Sequence, residues 1–225
     1  MSAARRIALI VAKDLRGELR TKEALTSTVF FSLLVLLVFN FAFDPGTRDL
    51  SVVGAGILWI AFLFGSILAM NRLMLDERED ARLEGLMLCP IERTSLYIAK
   101  CTSLFLLLTS AEAVTLALFV VFFNVPIDGQ LGALALIVAL GTIGLVALGT
   151  TLATMSVRTR TREVMLPLLL VPFAVPLLIA CVETTGSVLA SRGLAEELHW
   201  LRLLFVFDVL FLALGYLTFP ALLEE

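Results

Sequence analysis

The chain has 225 residues, 60% of them hydrophobic and only 16% charged, with a net charge of -3. Soluble domains are roughly 45–50% apolar, so lipid is the expected solvent; the charges fall in short clusters between apolar runs, which excludes a basic groove for nucleic acid. Cys89, Cys101 and Cys181 stand far apart and His199 is the only histidine, which leaves no zinc-binding spacing; the cysteines read as small apolar residues.

From residue 3 to residue 20, Ala4, Ala8, Val11, Leu15 and Leu19 recur at steps of three or four, while Arg6, Lys13, Arg16 and Arg20 fall elsewhere around the helix. This predicts an amphipathic helix in the interface plane, its apolar face at the acyl boundary and its basic residues among anionic headgroups. A basic tail that only fixes topology is the plainer alternative. The apolar stretch from Ile7 to Ala12 is short and ends at Lys13 and Asp14, so no cleaved signal peptide is expected.

Crossing a hydrocarbon core of about 30 Å takes about 20 apolar residues. Uncharged runs at 24–43, 50–70, 131–155 and 164–182 qualify outright. Two more, 101–123 and 203–223, each carry one acid, Glu112 and Asp208, which apolar neighbours can tolerate at a cost. The expected fold is therefore all-α: one transmembrane domain of six spans over residues 1–225. Breaker clusters at Asp44-Pro45-Gly46 and from Asn124 to Gly129 make short loops, and short loops force neighbouring spans antiparallel. Arg5, Arg6, Lys13, Arg16, Arg20 and Lys22 precede the first span. Arg72, Arg78, Arg82, Arg93 and Lys100 fill the second loop, and Arg158, Arg160 and Arg162 the fourth. The other side has only Arg48, Arg192 and Arg202, so the positive-inside rule places both termini and the second and fourth loops in the cytoplasm.

Within the second span, Ala61, Gly65 and Ala69 form a small-xxx-small face for close helix packing. The loop that follows is the largest on the cytoplasmic side. Acids crowd its start at Asp76, Glu77, Glu79 and Asp80, then Leu83, Leu86 and Met87 share one face, and Pro90 forbids simple continuation. A short helix over 76–89 is expected. Its apolar ridge, framed by Asp76, Arg78, Arg82 and Glu84, suits docking into a groove of a soluble partner, or folding back on its own bundle.

Glu112 lies midway along its span, where an isolated charge is costly, so it should face the bundle interior and be protonated or paired. Asp208 lies nearer the outer end. Each could line a substrate path or carry protons, or serve as a buried hydrogen-bonding group. Pro167, Pro172 and Pro176 remove amide donors from the fifth span and bend it, as a hinge or as a static kink. Beyond that span, residues 195–203 are expected to form a short interfacial helix anchored by Trp200; His199 beside it could also contact haem iron. None of Lys13, Lys22 or Lys100 follows a Gly, so the phosphate-binding loop GxxxxGK[ST] is missing. With no HExxH and no paired His in a span, enzymatic activity is not expected.

These residues resemble the haem exporter protein B subunits of cytochrome c maturation, themselves similar to ABC-2 type exporter permeases. The likeness runs along the whole chain. It is clearest at Gly56-Ile57-Leu58-Trp59, at Leu83-Glu84 followed by Leu86-Met87-Leu88 and Pro90, and from Leu166-Pro167 to Pro176-Leu177-Leu178-Ile179. Asn71, where the family often carries an acid, and Ala81, where it often has Gly, depart from the pattern. The resemblance implies an inner-membrane permease, a homodimer within its complex, that pairs with a separate ATP-binding subunit. A haem-handling membrane subunit and a small membrane partner would complete the assembly. It implies that ATP and magnesium bind the partner, that haem is handled by partners, and that this chain holds no cofactor of its own. It also implies a coupling helix, which falls on 76–89.

Overall fold

The computed structural model describes residues 3–43, 50–79, 92–125, 129–156, 162–192 and 197–222. Among them seven helices follow in order: α1 (Ala3–Thr21), α2 (Glu23–Ala42), α3 (Leu50–Glu79), α4 (Arg93–Phe123), α5 (Leu131–Ser156), α6 (Arg162–Leu189) and α7 (Leu198–Leu222). The described residues contain no strand. Six helices, α2 to α7, are long and apolar enough to cross a membrane, and the chain is a multi-pass membrane protein.

Several helices outrun the predicted spans. α3 continues to Glu79, α4 starts at Arg93, and α6 reaches Leu189. Hydropathy marks the part of a helix that lipid can surround, whereas backbone hydrogen bonding continues until a breaker stops it. The first turns of α7 thus include Trp200, which the sequence assigns to a separate interfacial helix; residues 195 and 196 lie outside the described set.

α5 is the centre of the bundle, touching α3, α4, α6 and α7. Lipid tails are as apolar as leucine, so association here depends on close approach and interhelical hydrogen bonds. The α2–α3 contact shows both. A Cβ on Gly65 would lie 2.9 Å from Thr28 Cγ2 and 3.2 Å from Ser32 Oγ. Thr28 Oγ1 donates to the Gly65 carbonyl (3.2 Å) and Ser32 Oγ to that of Ala61 (3.4 Å). The small-residue face expected at Ala61 and Gly65 is therefore the seam between these helices.

α1 is amphipathic, and its buried face keeps Val11 and Leu15 of the predicted stripe but not Ala4, Ala8 or Leu19. Ile10 and Val11 are buried in a cluster with Leu96, Tyr97, Ala99 and Phe219, with Ile7 and Leu15 packed against it. Leu19 is 68% exposed, and Ala4 and Ala8 are exposed. The covered face follows residues 7, 10, 11, 14, 15 and 18, and it lies against α4. Two of those positions are acids with assigned partners. Asp14 pairs with Lys100 of α4 at 3.0 Å, both side chains nearly covered, and also accepts from Ser103. Glu18, 7% exposed, accepts the Leu25 N–H at 2.8 Å and so caps the first turn of α2. Between the two helices Lys22 takes the left-handed conformation, φ 56°, which turns the chain from α1 into the first span.

Candidate functional site

Glu112 sits eleven residues before the end of α4 at Phe123, and Thr142 eleven residues after α5 begins at Leu131. Across an antiparallel connection this puts both at the same depth, about 16 Å from the helix ends at 1.5 Å per residue. Glu112 is 3% exposed. Its Oε2 lies 2.5 Å from Thr142 Oγ1, which is also 2.7 Å from the Val138 carbonyl oxygen.

Two further side chains reach the same turn of α5 from other helices. Asp208 of α7 rests on Gly144, where an added Cβ would lie 2.7 Å from its Oδ1. Cys181 of α6 rests on Gly141, its Sγ 2.8 Å from where a Cβ would stand. Trp59 of α3 closes the layer. Its Cη2 and Cζ3 cover Gly141 as well, the latter at 2.6 Å, and its indole Nε1 donates to Thr185 Oγ1 at 2.9 Å. Glycine at 141 and 144 is what lets three neighbouring helices bring these groups against the α5 backbone.

The layer is incompletely satisfied. Among the described residues, Glu112 Oε1 and both oxygens of Asp208 are buried without a hydrogen-bond partner, and neither carboxyl has a Lys or Arg at ion-pair distance. The described residues also hold no group of three or more His, Cys, Asp or Glu placed to bind a metal ion.

The other sequence-assigned residues are not gathered here. Asp76 and Arg78 are in the last turns of α3, their side chains outside the described set, as are Arg82, Leu83, Glu84, Leu86, Met87 and Pro90. Pro167, Pro172 and Pro176 all lie within α6, which continues through them; Pro172 and Pro176 are exposed on the face turned away from the bundle. His199 is exposed, its ring tilted 42° against Trp200 with centroids 4.9 Å apart. Hydropathy finds Glu112 and Asp208 but not Gly141, Thr142, Gly144, Cys181 or the Trp59–Thr185 bond. The signal that could have found them is the equal residue count on either side of the connection between α4 and α5, together with paired glycines in a helix without a charged residue.

These features define a polytopic membrane bundle with two buried carboxyl groups inside the span, at the meeting of five helices. The chain belongs to the CcmB protein family, whose sequence profile matches residues 5–225. It is similar to the heme exporter protein B of Rhodobacter capsulatus, 28% identical over 188 residues covering 84% of this chain and 85% of that one. The Haemophilus influenzae heme exporter protein B is 32% identical over 187 residues, 82% of this chain and 81% of its own. That of Pseudomonas aeruginosa is 28% identical over 196 residues, 87% and 86% of the two chains.

Proposed function

We propose that this chain is the membrane-spanning permease subunit of an ABC transporter for haem export, acting in the maturation of c-type cytochromes. The observation that carries this reading is the family match, which runs through all six spans and the charged loop between α3 and α4. The chain has no phosphate-binding loop of its own, so ATP and magnesium bind a separate ATP-binding subunit. That subunit presses on Leu83, Leu86 and Met87, with Asp76, Arg78, Arg82, Glu84 and Pro90 framing and ending the ridge. An apolar strip bounded by charge is the kind of surface that seats in a partner's groove. α3 continues unbroken to Glu79, so a force on that loop enters the bundle through a continuous helix. The α4 end of the same loop is held by Asp14–Lys100, which ties α1 to the motion. Haem is cargo, handled by the exporter's other membrane subunits, and the complex resides in the bacterial inner membrane.

The test is genetic and biochemical together. Loss of this chain should abolish haem attachment to c-type cytochromes in the organism that encodes it, and the unaltered chain should restore it. Leu86→Asp should reach the membrane in normal amount yet fail to co-purify with the ATP-binding subunit. Normal cytochrome maturation without the chain would refute the export reading; undiminished co-purification of Leu86→Asp would refute the docking strip.

A further inference from the structure

Three side chains from α4, α6 and α7 meet one turn of α5, residues 141–144, and the two carboxyl groups among them have no cationic partner among the described residues. We propose that this turn is the floor of an intramembrane proton-binding site, in which Glu112 and Asp208 each hold a proton at neutral pH.

Hydrogen-bond stoichiometry favours a proton on Glu112. A threonine hydroxyl has a single proton, yet Thr142 Oγ1 stands at 2.7 Å from the Val138 carbonyl oxygen and at 2.5 Å from Glu112 Oε2. The carbonyl has no proton to give. Each contact has a proton of its own when Thr142 donates to Val138 and Glu112 donates to Thr142, an arrangement that a neutral carboxylic acid supplies and a carboxylate does not. The surroundings of Asp208 favour a proton there too. It is 4% exposed, both oxygens are unpartnered, and Leu177 and the Gly144 backbone lie beside it. An ionised carboxyl in such a place loses its hydration and gains nothing in return, so the proton stays.

No group facing the pair reverses this. α5 has no ionisable residue. From α6 the facing group is the Cys181 thiol, and Glu183 is exposed. On α7, Arg202 is exposed. The nearest helix on the other side, α3, contributes the neutral indole of Trp59. α2 carries only Glu23, which pairs with Arg72 at 3.3 Å at the far end of that helix, and the Asp14–Lys100 pair of α1 lies three turns along α4. A carboxylic acid in water ionises near pH 4. Any step of the bundle that hydrates Glu112 or Asp208 therefore releases a proton, and the return step takes one up. ATP remains the source of energy; the proton is a passenger of the conformational change. The inference stands on the geometry alone and does not rest on haem being the cargo.

The experiment is infrared spectroscopy of the purified full chain in phospholipid nanodiscs at neutral pH. The expected result is a protonated-carboxyl C=O stretch with two components, one lost in Glu112→Gln and the other in Asp208→Asn. Wild-type protein labelled with carboxyl-13C glutamate or aspartate gives the same assignment by residue type, so a variant that fails to fold does not block the test. Absence of any protonated-carboxyl absorption at neutral pH, or an absorption unmoved by both labels, would overturn the proposal.

Discussion

Gly141→Ala tests directly where the buried layer sits, because a methyl group placed there has a predictable collision. Helix propensity alone favours Ala over Gly by about 0.8–1.0 kcal/mol. At Gly56 of α3, where nothing lies within 4 Å of an added Cβ, the same change should stabilise by up to about 1 kcal/mol. At Gly141 the methyl meets Trp59 Cζ3 at 2.6 Å and Cys181 Sγ at 2.8 Å, and Cη2 is closer still. The indole is rigid, 1% exposed and tethered to Thr185, so it has nowhere to go. Overpacking of this kind costs about 1–3 kcal/mol, which offsets the propensity gain and leaves a net loss of up to about 2 kcal/mol. Trp59→Phe deletes both clashing carbons and the Thr185 bond, costing roughly 2–3 kcal/mol by itself. In the double variant the collision with the indole is gone and only that with Cys181 Sγ remains, so the combined loss should fall short of the sum by about 1–2 kcal/mol. Reversible unfolding in mixed micelles, followed by far-UV circular dichroism, measures all four proteins. Additivity within about 0.5 kcal/mol would mean that Trp59 does not cover Gly141, and the convergence on residues 141–144 would fail with it.

Three further expectations concern the N-terminal elbow and the orientation. Glu18→Ala should cost about 1 kcal/mol, because the Leu25 N–H loses its acceptor, while Glu18→Gln, which keeps an oxygen there, should cost clearly less in the same assay. Lys22→Pro should cost about 3 kcal/mol or more, since proline fixes φ near −65° where the chain needs 56° and removes the N–H that donates to the Glu18 carbonyl; wild-type stability in that variant would refute the elbow. Cys89 is a native reporter of sidedness. A membrane-impermeant maleimide should label it in inverted vesicles and not in intact cells, with Cys89→Ser as the control, and labelling from outside would reverse the whole topology.

The parts legible from sequence are those that depend on position along the membrane normal. Long uncharged runs set six spans, and the count of residues from a helix end sets depth, so residue counting alone is enough to put Glu112 and Asp208 inside the bilayer. What sequence does not carry is azimuth, the direction each residue faces around its helix, because a span surrounded by lipid on one side and protein on the other is apolar all round. α5 shows this plainly: it has no charged residue at all, and nothing in its hydropathy distinguishes the side that meets Glu112 from the side that meets α7.

α1 shows the same limit from the opposite direction. Its pattern is strongly amphipathic, yet counting acids as polar and therefore outward-facing selects Ala4, Ala8 and Leu19, which are exposed, over Ile7 and Ile10, which are covered. Asp14 and Glu18 belong to the inner face because each has a specific partner there, the Lys100 ammonium and the Leu25 amide. A buried charge is tolerated when paired and hydrogen-bonded, so the polarity of a residue fixes its direction only after its partner is known. The contrast with the bundle centre follows. At the elbow the acids have partners and the helix is locked; at residues 141–144 three of the four carboxyl oxygens have no hydrogen-bond partner among the described residues, and a proton is the smallest partner that makes their burial affordable.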